Sequence, residues 1–173
     1  MNSLYAELLI RNIVCENLKI SNSKINFYKN SFGKPYLTDY ENFYFNISHS
    51  GDFVICAISD HEVGVDIQKI KPISTAFKEK FVGRKNASLE DFYSMWVLEE
   101  SYVKFLGKSI IFLAKNLSLK KQNVYYKTYN IHPNYKISVC SGDNKFYNHI
   151  THIEKEKLDK FFYENNGEIN GKI

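Results

Sequence analysis

Three short apolar runs in close succession, over residues 43–47, 53–58 and 63–68, constrain this chain more than any other feature. Each has the length and the Val, Ile, Phe and Tyr content of a β-strand. Only the turn-forming stretches Ser50-Gly51-Asp52 and Ser59-Asp60-His61 separate them. Helical signals flank this block. Leu4, Leu8, Leu9, Ile13, Val14 and Leu18 recur at close to helical spacing, which predicts an amphipathic helix over 3–17. A second helix is expected over 75–81 and a longer one over 89–106, closed by Gly107 at the C-cap.

The remaining segments follow the same logic. Residues 24–28 alternate, with Ile25 and Phe27 on one face, and predict a short strand ahead of the turn Phe32-Gly33-Lys34-Pro35. Strands are expected again at 124–131, 135–140 and 149–153. A last amphipathic helix is expected over 154–162, and then a frayed polar tail containing Asn165-Asn166-Gly167 and Asn170-Gly171. No low-complexity linker divides the chain. The order helix, strands, helix, strands predicts an α+β fold of two similar units sharing one core, with 53–58 and 135–140 as candidate counterparts.

Composition narrows the function classes. With 173 residues, 44% of them hydrophobic, the chain can bury one sizeable core. The 23 basic against 19 acidic residues fit an anionic partner, such as a phosphorylated cofactor or an acidic protein surface. No block of five or six consecutive basic residues supports a nucleic-acid partner. Cys15, Cys56 and Cys140 are odd in number, widely spaced and free of any CxxC, so buried free thiols in a reducing compartment are expected, with neither disulfides nor zinc. Residues 1–11 carry no basic-then-apolar leader, and no apolar run approaches the ~20 residues of a membrane span. A soluble cytoplasmic protein with no membrane partner is the expectation.

Four constellations could carry chemistry, and each has a plain alternative. In Val63-Gly64-Val65-Asp66-Ile67-Gln68, strand alternation puts Gly64, Asp66 and Gln68 on one face. A carboxylate and a carboxamide side by side suit a hard cation such as magnesium, but equally an ordinary strand with polar residues outward. Trp96, Glu100 and Lys104 stand at i, i+4 and i+8 on one helix face. That stack is either a surface ion pair or a metal-ligating or proton-accepting Glu100 beside a phosphate-binding Lys104. The strand end Ser48-His49-Ser50 could cradle a phosphate or be a plain turn; no G-x-S-x-G elbow supports a serine hydrolase. Lys34 in its Gly-Lys-Pro turn and Arg11 on the first helix are, taken alone, a surface lysine and a snorkelling arginine.

Their order is more specific than any one of them. Gly33-Lys34-Pro35, then Phe45-Asn46-Ile47-Ser48-His49-Ser50, then Gly64-Val65-Asp66-Ile67, then Trp96, Glu100-Ser101, Lys104 and Gly107 resemble the motif series of the Sfp-type 4′-phosphopantetheinyl transferases. The resemblance extends through 52–57, 71–74 and 135–140 and covers nearly the whole chain. It implies two similar α+β halves related by a pseudo-twofold axis, with coenzyme A and magnesium in the cleft between them. The halves would be 1–70, with coenzyme A contacts and the first metal carboxylate, and 71–173, with the second.

The resemblance also implies roles. Asp66 and Glu100 match the metal-binding carboxylates, with Gln68 as a third metal position. Glu100, Asp66 and Lys104 match the catalytic set: Glu100 helps deprotonate the carrier serine and Lys104 contacts the pyrophosphate. Ser48 and His49 match coenzyme A phosphate contacts, Lys34 and Pro35 the segment beside the adenosine, and Arg11 an arginine near the 3′-phosphate. The implied reaction moves the phosphopantetheine arm of coenzyme A to a serine of an apo acyl or peptidyl carrier protein, releasing 3′,5′-ADP. A monomer serving secondary-metabolite biosynthesis is the implied setting.

Three departures accompany it. Gln68 stands where many members carry a carboxylate. Glu99 stands where lysine is common, and its position on the helix is expected to aim it at solvent. The front of the chain is expected to lack several dozen residues that members usually carry, abbreviating the first half, and the segment from 68 to 96 looks shorter. These departures motivate one alternative, an impaired member that binds coenzyme A or a carrier in a regulatory role.

Overall fold

The structure, a computed structural model, describes residues 2–109 and 123–165. The polar tail expected to fray lies almost wholly outside the described residues. The leading apolar periodicity forms α1 (Asn2–Leu18). The stretch expected as a strand over 24–28 divides. A 3-10 turn (Asn22–Lys24) comes first, and β1 (Phe27–Lys29) starts later. Ile25 and Phe27 both pack on the α1 side of the core with Ile10, Val14, Leu37 and Phe45. Burial of those two side chains, rather than their alternation, sets the local backbone. β1 pairs antiparallel with β2 (Pro35–Leu37) across the Gly33-Lys34 turn.

The three central runs become β3 (Tyr44–Ser50), β4 (Phe53–Ser59) and β5 (Val63–Lys69). β3 and β4 form an antiparallel hairpin, with Phe45 opposite Ile58 and Ser50 opposite Phe53. β5 leaves that hairpin and pairs antiparallel along its whole length with β7 (Tyr135–Ser141), which also pairs with β6 (Tyr125–Tyr129). The order β5-β7-β6 puts β7 at the centre. Residues 53–58 lie in β4, the second strand of the β3–β4 hairpin, and residues 135–140 lie in β7, which pairs antiparallel with β6 before it and with β5. The stretches 1–70 and 71–173 share that sheet through β5 and β7.

Packing stacks these elements. One face of the hairpin sends Phe45, Val54 and Cys56 towards α1; the other sends Phe53, Ile55 and Ala57 onto Val65, Ile67, Tyr135 and Ile137. α2 (Thr75–Val82) and α3 (Leu89–Phe105) follow, α3 opening with a reciprocal Ser88–Asp91 capping box. α3 lies across β5 and β7. Gly107, at φ 61°, follows the terminal Leu106 in the left-handed conformation that ends many helices. α4 (Lys155–Glu164) packs Leu158 on Leu8 and Leu9 of α1.

The expected strand at 149–153 does not form. Only Ile150 and Ile153 are apolar there; Ile150 is 43% exposed, so the alternation has no apolar face to bury. The three cysteines form no disulfide, and burial pushes the Cys56 thiol up to about 12. Among the described residues, no helix is long and apolar enough to cross a membrane.

Candidate active site

The site begins with a missing side chain. A Cβ on Gly64 would overlap the Ser101 carbonyl oxygen and the Phe105 amide of α3, so only glycine lets β5 lie directly against that helix. Ser101 Oγ, 3.1 Å from Ser138 Oγ on β7, fixes the helix on the same sheet face. Two residues along β5, Asp66 then projects at α3 and is 1% exposed. The reading of this strand with its polar residues facing water is thereby excluded.

Asp66 is fully engaged. Its Oδ1 accepts from Ser48 Oγ at 2.8 Å and from Lys104 Nζ at 2.7 Å, and its Oδ2 accepts from Gln68 Nε2 at 3.0 Å. Lys104 Nζ also donates to Ser48 Oγ at 2.8 Å. One helical turn before Lys104, Glu100 lies in the same field. Burial chiefly, and then the charge of Asp66, push its carboxyl up to about 7, against the opposing pull of Lys104. Trp96, a further turn back, belongs to an aromatic cluster with Phe77, Phe81 and Phe92 that fastens α2 to α3.

The raised Glu100 has a consequence for stability. The folded state holds this proton more tightly than the unfolded chain, so its stability falls as pH rises from about 4.5 towards about 7. A rise of that size corresponds to about 3 kcal/mol, reduced to about 1–2 because solvent still reaches the side chain. Glu100→Gln is expected to remove this component. Between pH 5 and 8 the metal-free wild type should lose thermal stability relative to the variant, and parallel melting profiles would contradict the assignment.

Two carboxyls share this field, Glu100 raised chiefly by burial and then by the charge of Asp66, and carboxylate oxygens so placed are the kind of donor a hard cation takes. Among the described residues no group of three or more His, Cys, Asp or Glu could form a complete protein cage. Gln68, expected as a third ligand, instead turns its amide nitrogen to Asp66. A carboxamide beside a carboxylate donates an amide hydrogen to it.

The other expected residues are distributed more widely. β3 continues through Ser50, so Ser48 and His49 point to opposite faces; Ser48 meets Asp66 while His49 is exposed. The strand end Ser48-His49-Ser50, read as a possible phosphate cradle, thus divides its side chains between the two faces of β3. Lys34 is buried, with Nζ on Glu62 Oε2 at 2.6 Å, the Val63 carbonyl at 3.0 Å and the Phe105 carbonyl at 3.3 Å. It ties the β1–β2 turn to the back of the β5–α3 joint, a place opposite to that of a surface lysine. Pro35 opens β2 opposite Lys29. Arg11 is buried rather than snorkelling: it pairs with Glu7 at 2.8 Å and reaches Asn22 Oδ1 and the Ile25 carbonyl.

Glu99 is half-buried, not solvent-directed. It lies on the side of α3 near Tyr102 and Tyr126, whose phenols are raised by burial first and by Cys140 and Glu99 in smaller part. That places it around the helix from Glu100. Glu62, the partner of Lys34 and of Tyr36 Oη at 3.0 Å, was not foreseen from the sequence. A carboxylate at the mouth of a strand has no local signal that distinguishes it from a surface residue.

Comparison with known proteins bears on all of this. The family profile described as 4′-phosphopantetheinyl transferase, N-terminal, matches residues 1–61. The chain is 30% identical over 180 residues to 4′-phosphopantetheinyl transferase Sfp of Bacillus subtilis (strain 168), covering 90% of this chain and 80% of that protein. To 4′-phosphopantetheinyl transferase gsp of Aneurinibacillus migulanus it is 35% identical over 193 residues, covering 95% and 81%. An L-aminoadipate-semialdehyde dehydrogenase-phosphopantetheinyl transferase of Rattus norvegicus is 33% identical over 139 residues, 66% of this chain and 45% of that one. With similarity sustained over four-fifths of two such relatives, and a strand aspartate set against a helix glutamate and lysine, the chain belongs to the Sfp-type 4′-phosphopantetheinyl transferase family.

Proposed function

We propose that this chain transfers the 4′-phosphopantetheine arm of coenzyme A to a serine hydroxyl of an apo acyl or peptidyl carrier protein, with 3′,5′-ADP as the leaving group. The observation that carries the reading is the junction of Asp66, Ser48 and Lys104 with Glu100 held near neutrality beside it. Asp66 and Glu100 would hold a magnesium ion, which when bound would offset negative charge on the substrate diphosphate. Lys104 places an ammonium at the same spot, where a phosphate oxygen can take the place of Asp66 as its partner. Ser48 orients both groups through one hydroxyl.

Glu100 is the proposed acceptor of the carrier serine's proton: burial and Asp66 make its carboxylate more basic than an ordinary glutamate, and a bound cation would draw it back towards the ionised form that accepts. The work of the chain is then positioning and electrostatics. His49, exposed, and Pro35 are proposed as contacts for the remainder of the nucleotide. Arg11 and Lys34 would each have to give up protein acceptors to join them. The proposal carries with it the expected setting: two similar halves meeting near residue 70, a monomer, the cytoplasm, and carriers of secondary-metabolite synthesis.

Mass spectrometry of apo acyl and peptidyl carriers incubated with the protein, coenzyme A and magnesium tests this. The expected result is the mass gain of one phosphopantetheine arm, lost when magnesium is chelated. Carriers that stay unmodified across the panel overturn it. Coenzyme A binding without modification would put the regulatory alternative in its place.

A further inference from the structure

We propose that Asn46 and Ser50 are positioning residues: with Ser48 between them they form a side-chain seam that sets the spacing between the β3–β4 hairpin and the strand carrying Asp66. The inference rests on the function proposed above and concerns how its centre is held.

The need for a seam follows from strand pairing. One edge of β5 is satisfied by β7, and β3 is paired to β4, yet β3 and β5 run side by side with no ladder between them among the described residues. The amides of Val65, Ile67 and Lys69 on the open edge of β5 would be left without acceptors inside the protein, a costly state. Three side chains of β3 take them. Asn46 Oδ1 accepts from Val65 N at 2.9 Å, Ser48 Oγ from Ile67 N at 3.3 Å, and Ser50 Oγ from Lys69 N at 3.0 Å. Each bond spans the same sequence separation, so the two strands advance together in one register.

This arrangement does what a backbone ladder could not. Neighbouring ladder strands approach to about 4.8 Å. Side chains interposed at alternate positions hold the two strands apart, and into the gap beside them Lys104 Nζ reaches both Ser48 and Asp66. Ser48 belongs to the seam and the site at once. Its one proton goes to Asp66, and its two lone pairs receive Ile67 N and Lys104 Nζ, which uses its full capacity. A serine so committed cannot adapt if the strands slip. Asn46, buried, and Ser50, nearer the hairpin tip, lie on either side of it and fix the register. The polar stripe Asn46-x-Ser48-x-Ser50 has the alternation of one strand face, which is the trace the seam leaves in the sequence.

The test compares Asn46→Leu, of similar size but without an acceptor, with Asn46→Asp, which retains one. Two readouts are taken: amide hydrogen exchange at Val65 and the magnesium dependence of carrier modification. For Asn46→Leu, Val65 should lose protection, and the magnesium needed for half-maximal transfer should rise by roughly 10–100-fold, the scale on which partners of metal ligands act. KM for the carrier should stay within about twofold, because the substitution alters the hold on the metal rather than a carrier contact, and Asn46→Asp should restore magnesium dependence to within about threefold. If Asn46→Leu does not fold, Ser50→Ala, at the less buried end, is expected to unprotect the Lys69 amide and shift magnesium dependence in the same direction by roughly 3–10-fold. A folded Asn46→Leu with wild-type protection and magnesium dependence overturns the seam, as does a Ser50→Ala protein unchanged in both. A wild type that modifies no carrier would sink the proposed function instead, while the exchange of Val65 in Asn46→Leu would still decide for or against the seam.

Discussion

Asp66→Asn should lower the rate of carrier modification by roughly 10²–10³-fold, the range found when one preorganised electrostatic partner is removed from an active site. The substitution keeps the side-chain shape and can still accept from Ser48 at the buried position, so the fold should survive. Removing one partner of a buried ion pair costs about 3–5 kcal/mol, and less here because Lys104 remains partly exposed and keeps its bond to Ser48. What disappears is the charge that pairs with Lys104 and raises Glu100. The carboxyl of Glu100 should therefore titrate lower in the variant, and its share of the pH-dependent stability should shrink. Initial rates by mass spectrometry, with circular dichroism as the check on folding, read both effects. A folded variant with the wild-type rate would remove Asp66 from the mechanism.

Gly64→Ala is the second large effect, and it acts through geometry alone. The added methyl would meet backbone atoms of α3, the Ser101 carbonyl and the Phe105 amide, which cannot swing aside as a flexible side chain can. Either β5 or the helix must move. Overpacking of this kind costs about 3 kcal/mol, which for a chain of this size lowers the melting temperature by roughly 6–12 °C. Because Glu100 and Lys104 ride on α3 while Asp66 rides on β5, the same displacement should abolish transfer well below the new melting temperature. An alanine variant that melts within about 1 °C of wild type would show that the two elements are not in contact as described.

What the sequence disclosed and what it hid divide along the range of the interactions. α1, α3 and β3 to β5 were legible because periodicity and caps are local: leucines at helical spacing in α1, and Gly107 after the last turn of α3. The faces of β5 followed from alternation, while the meeting of Asp66 with Glu100 and Lys104 of a helix was implied only by the family resemblance. The partner of β5 did not follow, because β7 lies some seventy residues along the chain and no residue of either strand names the other. Lys34 shows the same limit. Its turn is evident, but three acceptors drawn from Glu62, Val63 and Phe105 are not.

Ser48 and His49 differ from those cases, since the information was present. Once the strand is carried through Ser50, its period of two parts them, whereas a strand expected to stop at residue 47 leaves their faces undefined. The run over 149–153 erred in the opposite sense: alternation without apolar content does not make a strand.

Asp66 of β5 and Glu100 of α3 are proposed to hold a divalent cation against the diphosphate of coenzyme A. Calorimetric titration of coenzyme A into the wild type and into Glu100→Gln, with and without magnesium, tests it most directly. The account predicts that magnesium strengthens binding at least about tenfold in the wild type and far less in the variant. Equal affinities in all four titrations would contradict it.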